Sequence, residues 1–193
     1  AEVAVSRLQA QARADAFLRA KGVDPDTYRA ATTFHSDLSG PEFDYLYEHI
    51  DEDAYEASCR ERFAGRAVWF IRYLRPGEAE EYGVRVLPDG TVHSFTHTLP
   101  EDAPGARLTR NQALELAEKH LRTHGLAAET YRLVGERLYE RPARNDHFFE
   151  WEDTTTKVAE AAWQINLNVL GDEPTGYWSY LDVPEAWLLE RNK

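Results

Sequence analysis

The sequence predicts an α+β protein built from two repeated units, each a helix packed on a roughly four-stranded antiparallel sheet. The first observation is an internal repeat. Thr109-Arg110-Asn111-Gln112-Ala113, Ala117, Leu121-Arg122, Gly125 and Thr130-Tyr131-Arg132 match, without a gap, Ser6-Arg7-Leu8-Gln9-Ala10, Ala14, Leu18-Arg19, Gly22 and Thr27-Tyr28-Arg29. A repeat of this size marks two copies of one supersecondary unit. The second observation is that each copy carries the punctuation of a helix. Ser6 and Thr109 stand three residues before Gln9 and Gln112, the spacing of a capping box. Gly22 and Gly125 follow the last turn, where a left-handed residue lets Val23 or Leu126 fold back on Leu18 or Leu121. The third is that strand-like runs with turn signals follow each helix.

Taken in order, residues 7–21 form the first helix, with Ala10, Ala14, Phe17 and Leu18 on one face. Thr27–Phe34 is a strand, ended by Ser39-Gly40-Pro41. Residues 42–63 read as helical, with Leu46, Ile50, Ala54 and Phe63 inward; the second copy has no counterpart, so 41–64 is an insertion expected to stand outside both units. Ala67–Leu74 is a strand, and Tyr82–Leu87 and Thr91–Thr98 are hairpin partners across Pro88-Asp89-Gly90. The second helix covers 110–124, followed by strands at 131–140, 146–152 and 157–170, a turn over Gly171–Gly176, and a last strand at 177–183. Val183-Pro184-Glu185 echoes Leu99-Pro100-Glu101, and a further helix begins near Trp187. The first unit spans 1–103 with its insertion, and the second spans 104–193.

The totals exclude several function classes. A net charge of −12 argues against a nucleic-acid partner and against adhesion to an anionic leaflet. Cys59 is the one cysteine, so no intrachain disulfide forms. No stretch approaches the ~18 apolar residues of a membrane span, so this segment itself does not insert. The chain contains no Met, and the expectation is a segment cut from a longer protein.

His120 and His124 share a helix face, as a zinc pair must, but no third ligand follows at a metal-site spacing. His93 and His97 read as a solvent-facing strand pair. No metal and no cofactor is expected. Residues 144–153 are the most unusual stretch. Alternation sets Phe149 and Trp151 on one side, and Phe148, Glu150 and Glu152 on the other. Two carboxylates on one strand face suit acid–base or glycoside chemistry, while Arg141 and Arg144 stand near enough in sequence to pair with them. Candidate binding residues are therefore Arg144, Asp146, Glu150, Trp151 and Glu152, with Tyr177, Trp178 and Tyr180 for side-chain selectivity. No catalytic residue is assigned.

Tyr82-x-Val84-x-Val86-x-Pro88-x-Gly90, Arg144-x-Asp146-x2-Phe149-x-Trp151-Glu152, Gly171-Asp172 and Val183-Pro184-Glu185-x-Trp187 carry a family resemblance. The repeated unit resembles tandem PepSY-like modules of cystatin-like arrangement. The whole resembles the soluble region of bacterial CAAX-protease and bacteriocin-processing intramembrane metalloproteases. Glu80-Glu81-x3-Arg85 spells that family's EExxxR signature, but it lies between Gly77 and a strand, with no apolar helix around it. The resemblance implies a non-catalytic regulatory or peptide-binding domain. Its partner would be a peptide or the membrane-embedded remainder of its parent, and its location extracytoplasmic, anchored through that parent. The alternative is a stand-alone acid/base hydrolase using Glu150 and Glu152.

Overall fold

The computed structural model describes residues 3–191, with Ala128 described for its backbone alone. Its elements run α1 (Arg7–Ala20), β1 (Arg29–Ser36), α2 (Pro41–His49), α3 (Glu52–Glu61), β2 (Ala67–Leu74), β3 (Glu81–Val86), β4 (Val92–Thr98), α4 (Arg110–Thr123), β5 (Tyr131–Glu140), β6 (Asn145–Val158), β7 (Ala161–Leu170), β8 (Glu173–Asp182) and α5 (Glu185–Arg191). The strands form two antiparallel meanders, β1-β2-β3-β4 and β5-β6-β7-β8, each preceded by its helix. The protein is α+β, with two helix-on-sheet units and a helical insertion in the first.

Both helices are fixed at their ends by local chemistry. Gln9 N–H donates to Ser6 Oγ at 3.3 Å, and Ser6 N–H donates back to Gln9 Oε1 at 2.8 Å. Thr109 and Gln112 repeat this box. At the other end Gly22 and Gly125 take φ of +83° and +75°, which only glycine adopts at little cost. Val23 N–H then reaches Leu18 O at 3.0 Å, and Leu126 N–H reaches Leu121 O at 3.2 Å, closing the Schellman turn. Replacing Thr109 by alanine should lower stability by about 1 kcal/mol, read as a shift of the urea midpoint with unchanged slope. An unchanged midpoint would mean that water caps the helix equally well.

Each helix buries one stripe against one sheet face. Ala10, Ala14 and Leu18 pack on Ile71, Tyr73, Val84, Val86 and Phe95. Ala113, Ala117 and Leu121 pack on Phe149, Trp151, Ile165, Leu167 and Val169. The alternating Ala161, Trp163, Ile165, Leu167 and Val169 all lie on this one face of β7, and α4 covers only part of it. The insertion covers the rest: Phe43, Tyr45 and Leu46 of α2, and Phe63 just after α3, join Val158, Ala161, Trp163 and Leu181 in a third core. The insertion therefore leaves the first unit in sequence and closes the second in space. It forms two helices rather than one region, the second opened by Asp51, whose carboxylate accepts from Ala54 N–H at 2.8 Å.

Two strand limits differ from the sequence reading. Lys157 and Val158 end β6, and the chain reverses at Ala159, a non-glycine residue at φ +49° that no sequence signal marks. The turn after β7 is only Gly171-Asp172, so the turn-like Glu173-Pro174-Thr175-Gly176 already belongs to β8. There it sits beside a register shift between Asn166 and Asn168.

The two sheets meet along β4 and β8. Thr175 Oγ1 donates to Phe95 O at 2.9 Å and accepts from His97 N–H at 3.0 Å. This meeting corrects the solvent-facing reading of the β4 histidines. His97 is 11% exposed, with its Nε2 at 3.1 Å from Glu80 Oε1, its Nδ1 on Glu173 Oε2, and its ring stacked on Tyr82. His93 falls at the β3–β4 register shift and packs edge-on against Tyr177. The edges left unpaired by this arrangement are β1 and β5.

Candidate functional site

With α1 and α4 behind the sheets, the opposite faces form one open surface. From the first sheet it presents Phe70 and Arg72 of β2 and Arg85 of β3, related by register. From the second it presents Phe148, Glu150 and Glu152 of β6, Gln164, Asn166 and Asn168 of β7, and Trp178, Tyr180 and Asp182 of β8. The two patches are continuous, because the Arg85 guanidinium stands 5.8 Å from the Trp178 ring centre.

The surface of the second sheet is a hydrogen-bonded chain. Glu152 accepts from Arg132 at 2.9 Å. Tyr180 Oη lies 2.6 Å from both Glu150 Oε1 and Gln164 Oε1, so one phenolic proton faces two acceptors. Gln164 Nε2 donates onward to Asp182 at 3.0 Å. Burial, followed by the Glu150 contact, holds the Tyr180 hydroxyl above the usual tyrosine range. Gly135 faces Glu150 across β5 and β6, and a Cβ there would meet the Glu150 carboxylate at 2.9 Å. A side chain at 135 would push this carboxylate off the chain of contacts.

The eight residues singled out from sequence divide three ways. Glu150, Glu152, Trp178 and Tyr180 share the open surface. Trp151 and Tyr177 face α4; Trp151 is 3% exposed, and Tyr177 stacks on His124 at 4.7 Å between ring centres. Arg144 and Asp146 form a buried ion pair at the start of β6, with Arg144 Nη1 donating to Pro100 O and Ala103 O of the linker.

Behind the sheets, a cleft of about 550 Å³ lies between the end of α3, β4 and the C-terminus of α4. Arg62 there pairs with Asp153 at 2.7 Å, and His93 and His124 line the wall. His120 Nε2 and His124 Nε2 are 3.2 Å apart, so one ring donates to the other. Among the described residues no group of three or more His, Cys, Asp or Glu gathers as metal ligands do.

Sequence reading missed Arg66 and Arg85. The available signal was Arg85 alternating with Val84 and Val86, which puts a cation on the open face of a strand. No family model matches the chain, and neither a curated protein nor a solved structure matches it.

Proposed function

We propose that this chain is a non-catalytic module that binds an extended peptide or protein segment on its open sheet surface. Its role is regulation of a larger membrane-embedded parent, for which the sequence resemblance suggests an intramembrane protease of the CAAX type. The observation that carries the binding reading is the composition of the surface. Half-buried Trp178 and Tyr180 lie beside the amide side chains Gln164, Asn166 and Asn168, over a rigid sheet. Aromatic rings give contact area at small entropic cost, and amides hydrogen-bond to main chain. The unpaired β5 edge offers a second mode, strand addition, although Arg132, Glu136, Arg137 and Glu140 guard it with charge. Among the described residues no helix is long and apolar enough to cross a membrane, so in this reading anchoring falls to the parent.

The hydrolase alternative gains no comparable support, because Glu152 is tied to Arg132 and Glu150 to Tyr180. The test has two arms. The isolated chain is assayed against peptide, ester and glycoside panels, with no turnover expected, and is then deleted from the full-length parent, with altered activity expected. Turnover abolished by Glu150→Gln, or a parent indifferent to the deletion, would reject the proposal.

A further inference from the structure

Where the two open faces meet, a recess of about 240 Å³ is lined by Arg66, Arg85, Phe70, Val68, His35 and Trp178, among others. Two cationic side chains of this lining, and one hydroxyl beside it, have polar atoms without protein partners. Arg85 has no carboxylate or carbonyl among the described residues; its guanidinium rests 4.8 Å from the Phe70 ring centre and 5.8 Å from that of Trp178. Arg66 Nε is buried without a hydrogen bond, although its Nη2 reaches Glu42. Ser94, the cross-strand neighbour of Arg85, has a buried hydroxyl that is likewise unsatisfied. Buried polar groups are nearly always paired, and exceptions call for an explanation. Arg66 Nε and Ser94 Oγ are two such exceptions, and together with the half-buried Arg85, which has no ion-pair partner among the described residues, they point to a missing anion.

We propose that this recess is a carboxylate-binding pocket, with the Arg85 fork as principal donor, Arg66 Nε as a second, and the Trp178 and Phe70 rings as walls. A guanidinium matches a planar carboxylate through two parallel N–H bonds. Glu42 already pairs with Arg66, so Arg85 is the cation of the lining without an ion-pair partner. The rim holds one more carboxylate, Asp37, engaged by the Ser39 hydroxyl and N–H. With Asp37 counted, the two arginines are matched by two carboxylates, so a singly charged ligand is repelled less than a phosphate dianion. The recess opens beside Trp178, on the surface assigned above to an extended peptide, so the carboxylate is that of the peptide's C-terminus or of an Asp or Glu side chain. This last step rests on the peptide reading; the pocket's affinity for a free carboxylate does not.

The test follows the Trp178 indole N–H of the full chain by NMR, assigned with Trp178→Phe. Titrants are acetate, inorganic phosphate, and acetylated pentapeptides ending in acid or amide, with Glu or Gln inside. Acetate, a monoanion, should produce a saturable shift at millimolar concentration, and phosphate should bind more weakly. Arg85→Met should weaken acetate about tenfold or more while the thermal midpoint holds or rises, since a half-buried cation without an ion-pair partner is removed. A purely structural arginine would lower the midpoint instead. Arg85→Lys keeps the charge, loses the fork and should bind several-fold more weakly, which covers the case of a Met variant that folds poorly. No saturable shift with acetate, equal binding by Arg85→Met, or phosphate binding as tightly as acetate would overturn the pocket. Acetate binding without any acid-dependent peptide binding would overturn the peptide reading and leave the pocket standing.

Discussion

Replacing Arg144 by alanine should destabilise the protein by about 3–5 kcal/mol, the cost of breaking a buried ion pair from one side. The Arg144 and Asp146 side chains are 3% and 4% exposed and meet through two parallel bonds of 2.8 and 3.1 Å. Arg144 also donates to Pro100 O and Ala103 O, so the guanidinium fastens the linker between the units to the start of β6. Asp146 accepts as well from Gly171 N–H and from Arg141, whose side chain is 31% exposed. Without Arg144 the carboxylate would keep those two contacts, and the linker carbonyls would lose their donor. Urea unfolding at pH 7 reads the effect. An apolar double variant, Arg144→Met with Asp146→Leu, should recover part of the loss because no buried charge is then left alone. A single-variant loss below about 1 kcal/mol, the range of a surface pair, would mean that water takes over the role of Arg144.

What was legible in the sequence was what is decided locally. Ser6 and Gln9, Thr109 and Gln112, and Gly22 and Gly125 act within one helical turn, so spacing alone reveals them. Face assignment was legible too: Phe149 and Trp151 turn toward α4, and Phe148, Glu150 and Glu152 turn away, as a two-residue period requires. Contacts between distant elements were not legible. Phe43 and Phe63 are apolar enough to need burial, but nothing local says that their cover is Trp163 of the second unit. His97 reads as an exposed strand histidine until Glu173 is brought to its ring by the β4–β8 meeting. Arg144 and Asp146 were read from sequence as binding residues, and spacing does not distinguish a fastener from a binding group. Arg85 and Trp178 come from different units, so their recess has no signature along the chain. Ala159 hides its turn because alanine carries no preference for positive φ.

Acidification should destabilise the fold between pH 6.5 and 4, by an amount on the order of 3 kcal/mol from His93 alone. Burial, then the neighbouring His124 and Arg85, pushes the His93 imidazole down to about 4. Burial, then His124 and Lys21, takes His120 down to about 4 as well, and burial lowers His124. The sign follows from where protons bind. The unfolded chain takes up a proton at each histidine near 6.5, while the folded chain holds His93 and His120 neutral until about 4. Within that window the unfolded state binds more protons, so stability falls as pH falls, and the loss is complete below the folded value. His120 contributes less than its shift suggests, because it stands partly in solvent and the three rings influence one another. Two carboxylates extend the loss to lower pH. Burial raises the Glu173 carboxyl, but His97 and Lys21 outweigh it and leave it below the usual range; at Glu80, His97 and Tyr82 do the same. Their share is lost as pH drops through those depressed values. Urea unfolding from pH 7 to 4.5 should therefore give a declining free energy, and His93→Gln should flatten that decline by removing the largest single contributor. A decline of the same steepness in His93→Gln would place the proton uptake elsewhere and remove the buried-histidine account of it.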